Sequence, residues 1–524
     1  MKQLLLSVVS ILFVVCLMNV LPACPPAATP PTAAFTATPV YGNAPLTVQF
    51  TDQSTPGSSA MTAWAWDFGD GSSSTAQNPV HIYGRAGTFT VTLTVTAAGT
   101  DTETKAGFIT AGADPNWAAN ETVFDATIAD NVVIVEEADV DRLISGWNEE
   151  FRAYQLDSAV ADELGLDLQV GDPILLAGQD IRRVSMVEED AEGIYIETES
   201  IPLNEVFTDG EISWDYGIEF TPDIIKFIEI PGVGEFPVKA GTPIEISFDI
   251  GALHYDLKVT LDTETADFEF VVTKGIAGQV KGKFTAKGQI ARFRSKDQML
   301  FDSGELQQFG HELNGMRGQA NLELAVTASG NDFIDYKLPV PIMKIPFVAG
   351  VVPVVVSVGV QFVINASVPL DGSALVKTSF SYDSDLGLSF DGVTTQAGGR
   401  MGDTTFGDAQ HQTGSSSAIS ANFGIGFPRV TVSIAADTLV PWAQTAFLIG
   451  GSYTFTPACQ TADAQFIGAV GYDFGILGFN LAKGSKTLFQ EKKELLRAGD
   501  CDKSESAEEA AMLLEGWEPL LLGN

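Results

Sequence analysis

From residue 345 to residue 370 the chain carries no charged side chain, yet its apolar residues keep a two-residue alternation. Val354, Val356, Val358, Val360, Phe362, Ile364, Ala366 and Val368 share one parity. Ser357, Gly359, Gln361, Asn365 and Ser367 fall on the other, with Val355 and Val363 as exceptions. A pleated strand turns successive side chains to opposite faces, whereas a helix would scatter these eight residues around its circumference. The run is long enough to mimic a membrane-spanning helix, but Pro346 and Pro353 would disrupt one and valine favours a sheet. The pattern predicts a strand over residues 354–368, on the order of 45–50 Å long at the usual rise per residue. Such a length calls for a large curved sheet or a wide barrel, with the Val/Phe/Ile face shielded by protein or by lipid.

The same period recurs nearby. Val280, Phe284, Ala286 and Ile290 oppose Lys281, Lys283, Thr285, Lys287 and Gln289, and Ala320, Leu322, Leu324, Val326 and Ala328 oppose Asn321, Glu323 and Thr327. Residues 216–503 are therefore expected to form a large antiparallel β domain with long strands. Residues 116–215 read as a small β-rich domain after the linker Gly112-Ala113-Asp114-Pro115. Within it, residues 142–156 are a helix or an extended turn, and residues 159–164 are a short helix stopped by Gly165. Residues 188–193 form the acidic loop of a hairpin. Residues 483–497 suggest a strand passing into a short helix. The acidic tail, residues 504–524, is a short helix opened by the capping-box spacing Ser506-Ala507-Glu508-Glu509, or a disordered end.

Residues 33–111 carry the most specific local signature. Phe35, Leu46, Val48 and Phe50 bracket the turn residues Pro39 and Pro45. Trp66-Asp67-Phe68-Gly69-Asp70-Gly71 follows, then Asn78-Pro79-Val80-His81-Ile82-Tyr83 and the alternating run Phe89-Thr90-Val91-Thr92-Leu93-Thr94-Val95. This stretch resembles a PKD domain, a small immunoglobulin-like sandwich of bacterial surface proteins and secreted hydrolases. The resemblance implies that Trp66 is buried between two sheets, that Asp67 and Asp70 are turn and sheet-edge residues rather than paired catalytic carboxylates, and that the module is a spacer or a binder outside the cytoplasm.

The N-terminus agrees with export. Residues 1–23 read as a signal peptide, with Lys2 before an apolar core, and Leu21-Pro22-Ala23-Cys24 resembles a bacterial lipobox, which implies lipid on Cys24. Ordinary cleavage with a free Cys24, or a retained membrane anchor, are the alternatives. Residues 24–32 are rich in Pro and Ala and form a tether. With Cys16 in the leader and Cys24 assigned to lipid, Cys459 and Cys501 remain, and two leftover cysteines in an oxidising compartment are expected to pair.

With 29 basic against 67 acidic residues the formal net charge is −38, which excludes nucleic acid as a partner. The charge admits calcium without placing it, since the acidic loop lacks the alternating ligand pattern of a calcium loop. The four histidines, His81, His254, His311 and His411, fall in no catalytic motif. His311-Glu312 lacks the second histidine of a zinc protease, and Ser415 to Ser417 lack the nucleophile-elbow spacing. No catalytic residue, cofactor or metal ligand is assigned. The expectation is a mainly β, non-enzymatic, lipid-anchored protein of the bacterial cell envelope that presents its domains to a protein or glycan ligand. The alternatives are a lipid-binding or membrane-embedded β structure, and a secreted hydrolase with an accessory PKD module. The chain ends Leu522-Gly523-Asn524, without the terminal aromatic strand of an outer-membrane barrel.

Overall fold

The long uncharged run folds as one arm and most of the other of a β-hairpin. In the computed structural model Ile342–Ala349 and Val352–Ser367 pair antiparallel, with Val354 opposite Phe347, and the chain reverses at Gly350. Gly350 has φ 66°, and a Cβ there would meet the Phe124 side chain at 2.3 Å, so the turn requires glycine twice over. The structure describes residues 29–44, 46–84, 87–112, 119–148, 151–190, 193–239, 241–251, 253–276, 279–327, 334–337, 342–367, 373–402, 404–406, 410–413, 419–434, 438–455, 458–472 and 484–499. The expected signal peptide, Cys24, Cys501 and the acidic tail lie outside them, as does Val368.

Val354, Val356, Val358 and Phe362 are fully buried and Val360 nearly so. Protein covers them. Phe362 stacks on Phe270 with ring centroids 4.4 Å apart and meets Phe284 edge-on at 5.7 Å. The strand is central in a sheet of nine described strands. Along its path run Gly234–Pro237, Phe227–Ile230, Ile342–Ala349, Val352–Ser367, Ile419–Ile434, Thr438–Phe455, Ala458–Tyr472 and Gly484–Gly499.

Phe270 and Phe284 belong to a second sheet of twelve described strands. Its path is Ile244–Ile250, Leu253–Leu261, Thr265–Ile276, Gln279–Ala291, Glu305–Thr327, Phe293–Asp302, Phe207–Ile218 and Glu121–Ile128, and Ser373–Phe390 also pairs along the 23-residue strand Glu305–Thr327. The two sheets are separate among the described residues and share one apolar core, so the large domain is a sandwich rather than a closed barrel. Among the described residues the two facing surfaces pack as one apolar cluster. A cavity between Leu257, Phe268, Ile290, Val360, Phe362 and Phe427 measures about 20 Å³, room for little more than a water molecule.

The small β-rich unit is a sheet of six described strands running from Val133 to Ser200, with its own core around Leu143, Leu156, Ile174, Val184 and Ile196. Glu121–Ile128 pairs with Phe207–Ile218, a strand that runs across residue 215, and both belong to the twelve-stranded sheet. The helix Ser158–Leu164 ends at Gly165, φ 68°, as the sequence implies, and Asp157 caps it by accepting from the Ala159 and Val160 amides at 2.9 and 3.1 Å. A helix also forms over Glu137–Leu143, but Ile144–Asn148 and Ala153–Leu156 pair as antiparallel strands. Gly484–Gly499 is one strand throughout, without the expected helical end.

The first domain is a sandwich of a three-stranded and a five-stranded sheet. Trp66 is 2% exposed, lies 5.2 Å from the Phe35 ring and 5.4 Å from the Phe50 ring, and donates its indole N–H to the Ala76 carbonyl at 2.9 Å. Truncating a packed tryptophan leaves a cavity, and Trp66→Ala should lower the stability of this domain by about 3–5 kcal/mol. Denaturant unfolding of the variant checks this; undiminished stability with lost ligand binding would make Trp66 a binding platform instead.

Candidate binding cleft

The Trp-Asp-Phe-Gly-Asp-Gly loop does more than turn the chain. Gly69 and Gly71, φ 80° and 98°, carry it through conformations that side chains resist, and Asp70 is thereby swung toward the strand Val80–Tyr83. Its carboxylate accepts from His81 Nε2 at 2.6 Å and from the Ser72 amide at 3.0 Å through its other oxygen. Burial pushes the Asp70 carboxyl up, but His81 and Ser72 outweigh it and hold it below the usual carboxylate range. Phe68 stacks on the imidazole at 4.1 Å with the rings nearly parallel, and Tyr83 abuts it edge-on at 4.6 Å.

The other ring nitrogen faces a different domain. Gln319, 238 residues away on the twelve-stranded sheet, places its side-chain nitrogen 2.8 Å from His81 Nδ1. The amide can only donate from that atom, so Nδ1 accepts and Nε2 carries the proton given to Asp70. The result is a directional chain, Gln319 to His81 to Asp70, buried at the domain junction. Beside it Gly84 sits so close to Thr265 that a Cβ would lie 1.9 Å from the threonine methyl. His81, Ile82 and Tyr83 are all buried. That strand is covered on both faces because the first domain docks on the outer, polar face of the sheet.

Docking leaves a polar cleft of about 310 Å³ between Asp70, Gly71 and Ser72 on one side and Lys258, Asp267 and Gln289 on the other. A second hollow of about 300 Å³ continues it past Ser73, Ser74, Lys283, Glu323 and Lys377. The two share Ser73, Glu269, Lys287 and Asn321 in their walls, making one groove. Lys287 pairs with Glu269 at 2.8 Å and Lys377 with Glu323 at 2.9 Å. Gln289 donates to Asp267 at 2.8 Å. Burial, reinforced by Asp70 and opposed by that hydrogen bond, pushes the Asp267 carboxyl up to about 6.

Other polar clusters lack a site's geometry. Asp297 Oδ1 lies 2.6 Å from His311 Nδ1 while its Oδ2 accepts from Ser295 at 2.7 Å, all three residues being buried in the sandwich core. Here the carboxylate stands in the middle. The histidine cannot deprotonate the serine, and the arrangement is not that of an activated nucleophile. His254 lies 2.8 Å from Asp249 on the surface, and that hydrogen bond raises it above the usual histidine range. The His411 side chain and Ser415 to Ser417 lie outside the described residues. Cys459 is buried and disulfide-bonded. Among the described residues no group of three or more His, Cys, Asp or Glu side chains is placed to hold a metal ion. The acidic loop at residues 188–193 lies partly outside them.

Of the signature residues Trp66, Asp67, Phe68, Gly69, Asp70 and Gly71, the structure buries Trp66 and Phe68 and leaves Asp67, Gly69 and Gly71 exposed at the turn, and the sequence did not point to the partners they meet. His81, Asp267, Gln289 and Gln319 are a histidine without a motif and three residues on polar strand faces. The one available signal was His81 itself, a polar residue on the same parity as Tyr83 in a strand with Ile82.

Residues 28–111 match the PKD domain family, and the chain holds a PKD domain there. Over 85 residues the chain is 31% identical to Collagenase ColA of Bacillus cereus, covering 15% of this chain and 9% of the collagenase. Solved structures of the PKD1 domain of the Vibrio cholerae metalloprotease PrtV and of Vibrio anguillarum Epp are each 30% identical. They are covered to 99%, span 16% and 17% of this chain, and give TM-scores of 0.14 and 0.15. A structure reported for carbohydrate-binding modules of the β-sandwich superfamily aligns over 74% of this chain and 85% of its own at 13% identity, with a TM-score of 0.16.

The raised Asp267 carboxyl makes a signed expectation. The unfolded chain releases this proton near pH 3.8 and the folded chain near 6, so this group lowers stability as pH rises through that window and the penalty is full above it. Asp267→Asn should therefore melt at a higher temperature than the parent at pH 7.5, with the advantage shrinking below pH 4. Thermal melts of both chains across that range check it; a pH-independent difference would contradict the assignment.

Proposed function

We propose that this chain is an exported binding protein of the bacterial cell envelope, anchored by lipid on Cys24, which presents the groove between its PKD domain and its large sandwich to a protein or glycan and catalyses no reaction. The groove carries the reading. It is large enough for a small-molecule or polymer subsite, it is polar along its length, and a buried hydrogen-bonded junction fixes its walls. The apolar stretch before Cys24 and the Pro-rich segment after it support the anchor.

Mass spectrometry of the mature N-terminus should find a lipid-modified Cys24, and an unmodified N-terminus there or further along would remove the anchor from the proposal. The strand register supports Cys501 as the disulfide partner of Cys459, which stands opposite Gly499, two residues short of it. Closing a loop of about 42 residues this way would stabilise the fold by roughly 2–4 kcal/mol. Non-reducing peptide mapping should recover the two segments linked, whereas two free thiols would refute the pairing. The binding reading as a whole is tested by incubating the purified chain with glycan and protein arrays; retention of neither class would overturn it.

A further inference from the structure

One wall of the second hollow is a strand edge. Ser73, Ser74, Thr75 and Ala76 line it in succession, and Ser73–Ser74 is the last strand of the five-stranded sheet of the PKD domain, with Ala63–Asp67 on one side and no described strand on the other. The register decides what that edge presents. Trp66 stands opposite Ser74 and Asp67 opposite Ser73, and beyond them the Phe68 amide donates to the Ser72 carbonyl at 3.2 Å. Bonded and unbonded pairs alternate in an antiparallel ladder, so Ser74 bonds to Trp66 and the Ser73 amide and carbonyl point the opposite way, off the edge. Ser73 and Thr75 are exposed, and among the described residues neither the amide nor the carbonyl of either has a hydrogen-bond partner.

An unpaired edge is a template for another chain. An extended polypeptide repeats an outward amide and carbonyl every second residue, the interval that separates Ser73 from Thr75. The other wall of the hollow is the outer face of the twelve-stranded sheet, where Lys287 is paired with Glu269 and Lys377 with Glu323. Lys283 differs. It is exposed on that wall and has no carboxylate within salt-bridge reach among the described residues, so the hollow carries one uncompensated positive charge on a chain whose formal net charge is −38. A single acidic side chain gains there, whereas a run of carboxylates would be opposed by Glu269, Glu323 and the charge of the whole chain.

We infer that this edge is the docking site for an extended segment of a partner protein, which adds to Ser73–Ser74 as a further strand of the PKD sheet and sets one acidic side chain against Lys283. This rests on the binding reading above and names the partner's chemistry. Main-chain hydrogen bonds to Ser73 and Thr75 supply the attachment, and Lys283 among its already paired neighbours selects between segments. The buried contact of Gln319 with His81 holds the strand edge and the sheet wall in place, so the segment enters a slot formed in advance.

The test is selection of a phage-displayed library of random linear nonapeptides on the full mature chain, followed by calorimetric titration of the enriched peptides as synthetic compounds. Those peptides should share an acidic residue. Ser73→Pro removes the outward amide without touching the bond between Ser74 and Trp66, and should weaken binding about tenfold, the equivalent of one hydrogen bond, with the thermal melt of the chain retained. Lys283→Gln should weaken it about threefold. N-methylation of alternate peptide amides should abolish binding in one phase and spare it in the other, a readout on the parent chain that decides the matter even if Ser73→Pro melts early. Peptides that tolerate methylation in both phases, or bind the folded Ser73→Pro chain undiminished, would overturn strand addition, and enriched peptides indifferent to Lys283→Gln would overturn the charge contact. No enriched peptide, with a glycan retained on the array, would overturn this inference and leave the glycan form of the binding reading; retention of neither class would overturn both.

Discussion

Everything in the large domain depends on two sheets burying one face each against the other. Val354, Val356, Val358, Val360 and Phe362 stand on one side of a single strand, and Phe270, Phe284 and Phe268 meet them from the facing sheet. Five apolar residues of that size, each worth about 1.5–3 kcal/mol when buried, together contribute about as much as the whole net stability of a typical domain before backbone ordering is counted. The alternation that achieves this has a second consequence. A strand whose even residues are committed to the core must present its odd residues outward, so the polar faces of these long strands are as extended and regular as the apolar ones.

The PKD domain uses one of those outward faces as its floor. Gln289, Gln319 and Asp267 stand at positions that in an isolated sheet would meet water, and docking buries the two glutamines and half-buries the aspartate, so that all three need partners. Some partners come from the PKD domain: His81 accepts from Gln319 and passes its own proton toward Asp70. Others come from the sheet itself, as Gln289 does for Asp267. A junction held by direction-specific hydrogen bonds rather than by a broad apolar contact fixes the angle between the domains, and with it the shape of the groove.

Much of this was legible in the sequence where the determining contacts are local. The stop at Gly165 and the parity of residues 354–362 follow from neighbours a few positions apart or from a simple period. The errors have physical causes too. Over residues 142–156 the sequence left a helix or an extended turn open, but the apolar pair that a helix buries, Val140 and Leu143, lies earlier, and β-branched Ile144 begins a strand that pairs with Ala153–Leu156. In Gly484–Gly499 the interspersed Lys and Glu belong to a strand at the edge of the sheet among the described strands, where charge disfavours pairing with other chains. The groove was illegible for a different reason. Lys287 and Gln289 share a parity with solvated residues, and nothing within the strand distinguishes a face that water covers from one that a domain beginning two hundred residues earlier covers.

The central claim is that His81 and Gln319 join the two domains directly. A double-mutant cycle on the full chain, with His81→Ala, Gln319→Ala and both together, measures that contact without reference to any ligand. If the bond exists, the two losses of stability should fall short of additive by about 1–2 kcal/mol, since either substitution alone already breaks it. Losses that add to within about 0.3 kcal/mol would mean that the two residues do not meet, and that the groove between the domains is not a fixed feature of the protein.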